Sequence, residues 1–274
     1  EQVYQMWRLH GKMPLQGHSE GLSLLEKGVT KMEMVKLTID GVQIEVPKGT
    51  TVLEAARSAH IHIPTLCYLK GINEIGACRM CLVEVKGARS LQASCVFPVG
   101  EGMEIRTNTP AIREARKTNM ELILSNHDRK CLTCVRSENC ELQTLSTQLG
   151  IDDIRYEGEQ GNYAVDELST SIVRDPNKCI LCRRCVSTCR EVQGIGAIGA
   201  TERGFNTIIE PVYSKSLADV NCINCGQCIE ACPVGALREK DDTDKVWDAI
   251  NNPDLHVVVQ TAPAVRVALG EEFG

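Results

Sequence analysis

Two runs of cysteines constrain this chain more than any other feature. Residues 179–189 read CILCRRCVSTC and residues 222–233 read CINCGQCIEACP; each spaces its thiols as C-x2-C-x2-C-x3-C, and the second begins 43 residues after the first. Three close cysteines followed by a fourth suit an iron–sulfur cluster, whose four irons each need a terminal thiolate. Structural zinc is the competing reading, but zinc cysteines usually come as two C-x2-C knuckles across a long spacer. The 274 residues hold 15 cysteines, an odd count, and no basic segment followed by an apolar run opens the chain, which argues against a secreted disulfide framework. No apolar run approaches the roughly 18 residues of a membrane span. Net charge is −6 without a dominant basic block, so nucleic acid is a poor candidate partner. The chain reads as a cytoplasmic metalloprotein, long enough for two or more small domains.

Regular structure is expected from residue 34 onward. In VKLTIDGVQIEV, Val35, Leu37 and Ile39 alternate, Asp40-Gly41 supplies a two-residue turn, and Val42, Ile44 and Val46 alternate back, which is a hairpin signature. Thr51 and Glu54 form a capping box that opens an amphipathic helix. Cys67, Cys78, Cys81 and Cys95 follow as C-x10-C-x2-C-x13-C. This order of hairpin, helix and cysteine loop resembles the ubiquitin-like plant-type ferredoxins, and the resemblance implies a β-grasp domain holding a [2Fe-2S] cluster. That family spaces its ligands C-x4-C-x2-C with a distant fourth, so the loop here takes a different path.

The stretch HDRKCLTCVRSENC holds the three remaining cysteines, Cys131, Cys134 and Cys140, one thiolate short of a four-iron site. His127, four residues before Cys131, is the expected fourth ligand, since neutral imidazole binds iron in Rieske centres. Thr109-Pro110 is suited to cap and open a helix over PAIREARKTNMELILSN that ends at His127. His60 and His62 lie near a group that is already complete and read as surface or packing residues; His10, His18 and His256 have no ligand partners nearby in sequence.

The paired runs resemble two-cluster bacterial ferredoxins, in which the fourth cysteine of each run ligates the other cluster. Carried over, Cys179, Cys182, Cys185 and Cys232 hold one [4Fe-4S] cluster, and Cys189, Cys222, Cys225 and Cys228 hold another. Only the second run keeps the trailing proline, Pro233; Arg190 stands in the first. The stretch GIGAIG (Gly194, Gly196, Gly199) matches a dinucleotide fingerprint but directly follows the first run, where the glycines more naturally leave room for backbone to wrap a cluster.

As a whole, the series of one [2Fe-2S] group, one [4Fe-4S] group with a histidine ligand and two ferredoxin-type [4Fe-4S] groups resembles the N-terminal region of large [FeFe]-hydrogenases. It also resembles the G-type iron–sulfur subunit of NADH dehydrogenases, the diaphorase small subunit of NAD-reducing hydrogenases and part of some NAD-dependent formate dehydrogenases. The tail HVVVQTAPAVRVALGEEFG reads as a strand running into a helix and resembles the opening of the [FeFe]-hydrogenase catalytic domain. The resemblance implies an α+β chain in five parts. These are an unassigned extension (1–33), a [2Fe-2S] ferredoxin-like domain (34–112), a small helical domain with a one-histidine, three-cysteine cluster and its acidic connector (113–171), a 2x[4Fe-4S] ferredoxin-like domain (172–242) and the start of a catalytic domain (243–274). It implies an oxidoreductase relay with no catalytic residue of its own. Its partners would be a flavin- and NAD(H)-binding subunit, a small [2Fe-2S] subunit and ferredoxin, and an H-cluster would be held only by residues beyond Gly274. A stand-alone subunit of an NADH or formate dehydrogenase is the alternative, and a zinc-stabilised interaction module without redox activity is a third.

Overall fold

In the computed structural model, residues 33–273 are described; the extension before them, with His10 and His18, lies outside. Strands β1 (Met34–Ile39) and β2 (Val42–Pro47) form the expected hairpin, with Leu37 opposite Ile44 and Ile39 opposite Val42. Asp40 and Gly41 both take left-handed φ, 49° and 86°, as a tight turn between twisted strands requires. The Asp40 carboxylate accepts bonds from the Thr107 amide (2.9 Å) and hydroxyl (2.5 Å), which pins the turn to the end of the domain.

Helix α1 (Val52–Ser58) packs Val52, Leu53, Ala55 and Ala56 completely against the sheet. Burying Val52 and Leu53 stabilises the fold by about 1.5–3 kcal/mol each. Only half of the capping box forms. The Thr51 hydroxyl accepts from the Glu54 amide at 3.3 Å, whereas the Glu54 carboxylate turns to Tyr68, Arg57 and Lys70. Strands β3 (Leu82–Val85), β4 (Gln92–Ala93) and β5 (Glu104–Arg106) complete a sheet of order β2-β1-β5-β3-β4, with β1 and β5 parallel. That parallel central pair beneath a crossing helix is the β-grasp arrangement.

Helix α2 (Pro110–Ser125) begins as the sequence indicates: the Thr109 hydroxyl accepts from the Ile112 amide and Pro110 occupies the first turn. Its buried stripe, Ile112, Arg116 and Met120, is spaced one turn apart and carries the chain into a second core. After α3 (Glu141–Gln148), residues 151–171 run mostly without regular structure. The two cysteine runs then fold with approximate twofold symmetry. Strand β6 (Ile172–Arg174), before the first run, pairs with β9 (Leu237–Glu239), after the second. Between the runs, β7 (Gly199–Thr201) pairs with β8 (Ile208–Glu210), and α4 (Arg184–Ser187) packs on α5 (Gln227–Ala231). One core joins these pieces: Leu66 and Met80 come from the β-grasp loop, Met120 from α2, Leu142 from α3, and Ile172, Ile209 and Val234 from the last domain.

The tail departs from expectation. Helices α6 (Thr243–Asn251) and α7 (Pro263–Phe273) form, but residues 256–260 make no strand. Val258 and Val259 are exposed, and no strand edge among the described residues pairs with them. A valine run becomes a strand only when a partner takes its backbone hydrogen bonds.

Candidate metal centres

All 15 cysteines are free thiols, and the fold gathers them into four groups. Among the described residues no three metal-binding side chains close on one point as the ligands of a single ion would; the sulfurs ring cavities or sit in pairs.

The first group lies on the long loop beside the β-grasp sheet. Cys67, Cys81 and Cys95 are almost wholly buried, and the Cys81 and Cys95 sulfurs are 3.3 Å apart. Cys67 and Cys78 are the second coupled pair, and the nearby amides of Ala77 and Cys78 favour the Cys67 thiolate. In each pair the hydrogen bond to the partner sulfur, then burial, holds one thiol (Cys78, Cys95) strongly protonated. Gly76, at φ 63°, leads into Cys78, and a side chain there would press on Val96. Arg116 donates to the Leu82 carbonyl at 2.7 Å, and its Nε has no partner although it is buried.

Beyond α2, His127 is 7% exposed and its Nδ1 is buried without a partner. Burial pushes the imidazole below its usual pKa, against the pull of Asp128. His127, Cys131 and Cys140 share one cleft. Cys134 is not part of that lining; its sulfur lies against Gly235, where a Cβ would stand only 2.6 Å from it. It remains close enough to Cys140 to raise that thiol together with Cys131, after burial, which is the larger cause.

The third and fourth groups exchange cysteines between the runs. Cys179, Cys182, Cys185 and Cys232 line one apolar cavity; Cys189, Cys222, Cys225 and Cys228 line another, open at Cys225. Burial pushes Cys179 up to about 11 and Cys182 to about 12, and their neighbouring sulfurs push them further. Burial likewise raises Cys228 to about 12, ahead of Cys222, Cys189 and Cys225. The two runs share a backbone path despite different residues. Leu181 and Arg183 are left-handed (φ 54° and 62°) in the first, and Asn224 and Gly226 (53° and 73°) occupy the same register in the second. Leucine and arginine rarely adopt this conformation, so the surrounding structure imposes it. Gly194 and Gly196, also left-handed, bend the chain back over Cys189, whose sulfur accepts from the Ala197 amide at 3.3 Å. A helical segment rather than a strand directly precedes these glycines, and the dinucleotide reading falls away.

The third group touches all the others. Asn73 bonds to the carbonyls of both Cys67 and Cys182. The Cys140 sulfur reaches the Pro233 carbonyl at 3.8 Å, and Arg184 grips Glu141, each residue adjoining a cysteine. Ile198 lines both ferredoxin cavities. His60 and His62 are exposed, as the sequence suggested. Asn73, Arg116 and Gly235 were not singled out in sequence; the only trace of Asn73 there is the unusual length of the Cys67–Cys78 loop.

Thiols around apolar cavities, Cys182, Cys185 and Cys232 among them buried, with a partnerless imidazole beside three more, suit iron–sulfur ligation by chemistry and by environment. Comparison with known proteins agrees. Residues 32–110 match a 2Fe-2S iron-sulfur cluster binding domain. Residues 116–155 match the NADH-ubiquinone oxidoreductase-G iron-sulfur binding region, and residues 169–238 the ferredoxin-like domain of NADH-quinone oxidoreductase subunit 3. The chain is 47% identical over 248 residues to the NADP-reducing hydrogenase subunit HndD of Solidesulfovibrio fructosivorans, covering 89% of this chain and 42% of that one. Against iron hydrogenase 1 of Clostridium pasteurianum the identity is 39% over 242 residues, 88% of this chain and 42% of the relative. A chain in the crystal structure of an NAD+-reducing [NiFe]-hydrogenase in the H2-reduced state superposes with a TM-score of 0.71 at 30% identity, over 75% of this chain and 87% of that one. The chain thus spans less than half the length of these two curated relatives.

Proposed function

This chain belongs to the NADH-quinone oxidoreductase G and NAD-linked hydrogenase family of iron–sulfur proteins, and from that premise we propose that it relays single electrons through four clusters in an [FeFe]-hydrogenase. In this reading Cys67, Cys78, Cys81 and Cys95 hold a [2Fe-2S] cluster. His127, Cys131, Cys134 and Cys140 hold a [4Fe-4S] cluster, and the crossed sets Cys179, Cys182, Cys185, Cys232 and Cys189, Cys222, Cys225, Cys228 hold two more. The observation that carries it is the direct joining of the ligand loops, all of which meet at the third group.

Iron–sulfur clusters supply reversible one-electron chemistry when bound. The residues of this chain do the rest. Apolar side chains such as Ile198 and Ile209 exclude water from the thiols, amides such as those of Leu181 and Ala197 donate to sulfur, and His127 offers a neutral ligand among anionic ones. Residues of the third group adjoin those of the other three, so a cluster held there would be the junction of the relay. The proposed partners are a flavin- and NAD(H)-binding subunit, a small [2Fe-2S] subunit and ferredoxin, in the cytoplasm. No described helix is long and apolar enough to cross a membrane. The matches to NADH oxidoreductase models favour one second reading, an iron–sulfur subunit of an NADH dehydrogenase.

Anaerobic analysis of iron, acid-labile sulfide and zinc tests the relay. The expected content is about fourteen irons per chain with matching sulfide. Stoichiometric zinc with little sulfide would replace the relay with a structural zinc module.

A further inference from the structure

The loop between Cys67 and Cys78 is six residues longer than the plant-type spacing. Its extra length closes on itself: the Leu69 and Asn73 backbones bond to each other in both directions, at 3.0 and 2.8 Å, around Gly71 in left-handed conformation. This small loop delivers Asn73 into the interior, where it is 1% exposed. There the two protons of one amide nitrogen serve two carbonyls. One is that of Cys67 at 2.7 Å, and the other is that of Cys182, 109 residues away in sequence, at 3.0 Å. The Asn73 oxygen accepts from the Ser187 hydroxyl at 2.7 Å, so every polar atom of the side chain is engaged.

Both carbonyls belong to candidate ligand residues, one for the first centre and one for the third. We propose that Asn73 is the positioning residue that couples these two centres, holding their ligand loops in register and giving a direct hydrogen-bonded route between them. With both centres loaded, an electron lost by the first would be gained by the third, while Asn73 would be neither oxidised nor reduced and no proton would move. A buried amide suits this role because removing it leaves two carbonyls unsatisfied inside the core, so the loops cannot simply close over the gap. The inference rests on the relay reading above.

The test uses the full chain, reconstituted anaerobically, as wild type, Asn73→Leu, Asn73→Ala and Ser187→Ala. Iron and sulfide analysis and the separate EPR signals of each centre establish loading first. A pulse of reducing dye radical then follows electron equilibration between the first and third centres, and the magnetic broadening of the reduced [2Fe-2S] signal by its neighbour reports their separation. In both Asn73 variants, equilibration should slow severalfold and the broadening should diminish. Ser187→Ala, which keeps both carbonyl bonds, should behave as wild type. Wild-type equilibration and broadening in a loaded Asn73 variant would overturn the proposal. Loss of either cluster from both Asn73 variants would also overturn it, by making the residue a folding determinant. If the wild-type chain itself gave no [2Fe-2S] and [4Fe-4S] signals, the relay reading would fail independently of Asn73.

Discussion

Arg184 and Glu141 face each other as a two-pronged ion pair, with nitrogen–oxygen distances of 2.5 and 2.8 Å, although 43 residues separate them. Each adjoins a cysteine, Cys185 or Cys140, so the pair clamps two cysteine-bearing loops together. The arginine side chain is 7% exposed and the glutamate 48%. Losing either partner therefore has unequal effects. Glu141→Ala strands a buried guanidinium whose Nε is already unpartnered and should cost about 1–3 kcal/mol, whereas Arg184→Met leaves a carboxylate that water can reach and should cost less. Urea unfolding of the loaded variants, followed by loss of visible absorbance, measures the order; equal effects would contradict the argument.

His127 is expected to tune its centre. A thiolate adds negative charge beside iron where a neutral imidazole adds none, so His127→Cys should lower the potential of that cluster. His127→Ala should give a labile or three-iron centre. A redox titration monitored by EPR distinguishes these outcomes, and unchanged signals in both variants would remove His127 from the ligand set.

Arg116 brings a buried positive charge to the strand that follows Cys81. Burial opposes its charge, while Cys81 and Asp40 favour it, and the Asp40 carboxylate is already taken up by Thr107. A cluster carrying net negative charge would provide the missing counter-charge and gain most when reduced. Arg116→Met should accordingly lower the midpoint potential of the [2Fe-2S] signal, with Arg116→Lys falling between. No shift in either variant would place the charge out of range.

Gly235 has no side chain where the Cys134 sulfur needs space. In the metal-free chain that sulfur can rotate aside, so Gly235→Ala should be mild. Once the sulfur is fixed as a ligand it cannot yield, and the substitution should destabilise the loaded form by about 1–3 kcal/mol. The signature is a selective loss of the histidine-associated EPR signal and its iron, with the ferredoxin signals intact.

Asp166 gives an acid limb unrelated to metal. Burial raises its pKa, but bonds from the Ser216 hydroxyl (2.6 Å) and the Leu217 amide (3.0 Å), with Arg174 nearby, outweigh it and hold the carboxyl below its usual value. A depressed pKa in the folded state means the stabilisation is present above the unfolded value of about 3.9 and fades as pH falls through the folded one. Asp166→Asn should lower stability at neutral pH while flattening the decline below about pH 4. Urea midpoints of the metal-free chain across that range would check it, and parallel curves would refute it.

Local rules read well from this sequence. The Asp40-Gly41 turn, the Thr109-Pro110 helix start and the left-handed glycines after Cys189 all lie within a few residues of the atoms that determine them. The Glu54 half of the capping box did not form because Tyr68 and Lys70, distant in sequence, compete for the carboxylate. The valines at 257–259 carried strand propensity without a partner edge. Asn73, Arg116 and Gly235 matter through neighbours 34 to more than 100 residues away, and no short window of sequence contains those neighbours.

The second core bears on how the relay could be wired to an electrode or a foreign enzyme. The chain reads as separable modules, yet Leu66, Met80, Met120, Leu142 and Val234 belong to one core that spans the three cysteine-bearing parts. A ferredoxin segment excised at residue 172 would lose Leu66, Met80, Met120 and Leu142 from its shared core, and a β-grasp segment ending at residue 112 would separate Leu66 and Met80 from the rest of theirs. Grafting one cluster at a time would therefore yield sticky fragments that aggregate, and the transplantable unit is the whole stretch from residue 34 to about residue 240.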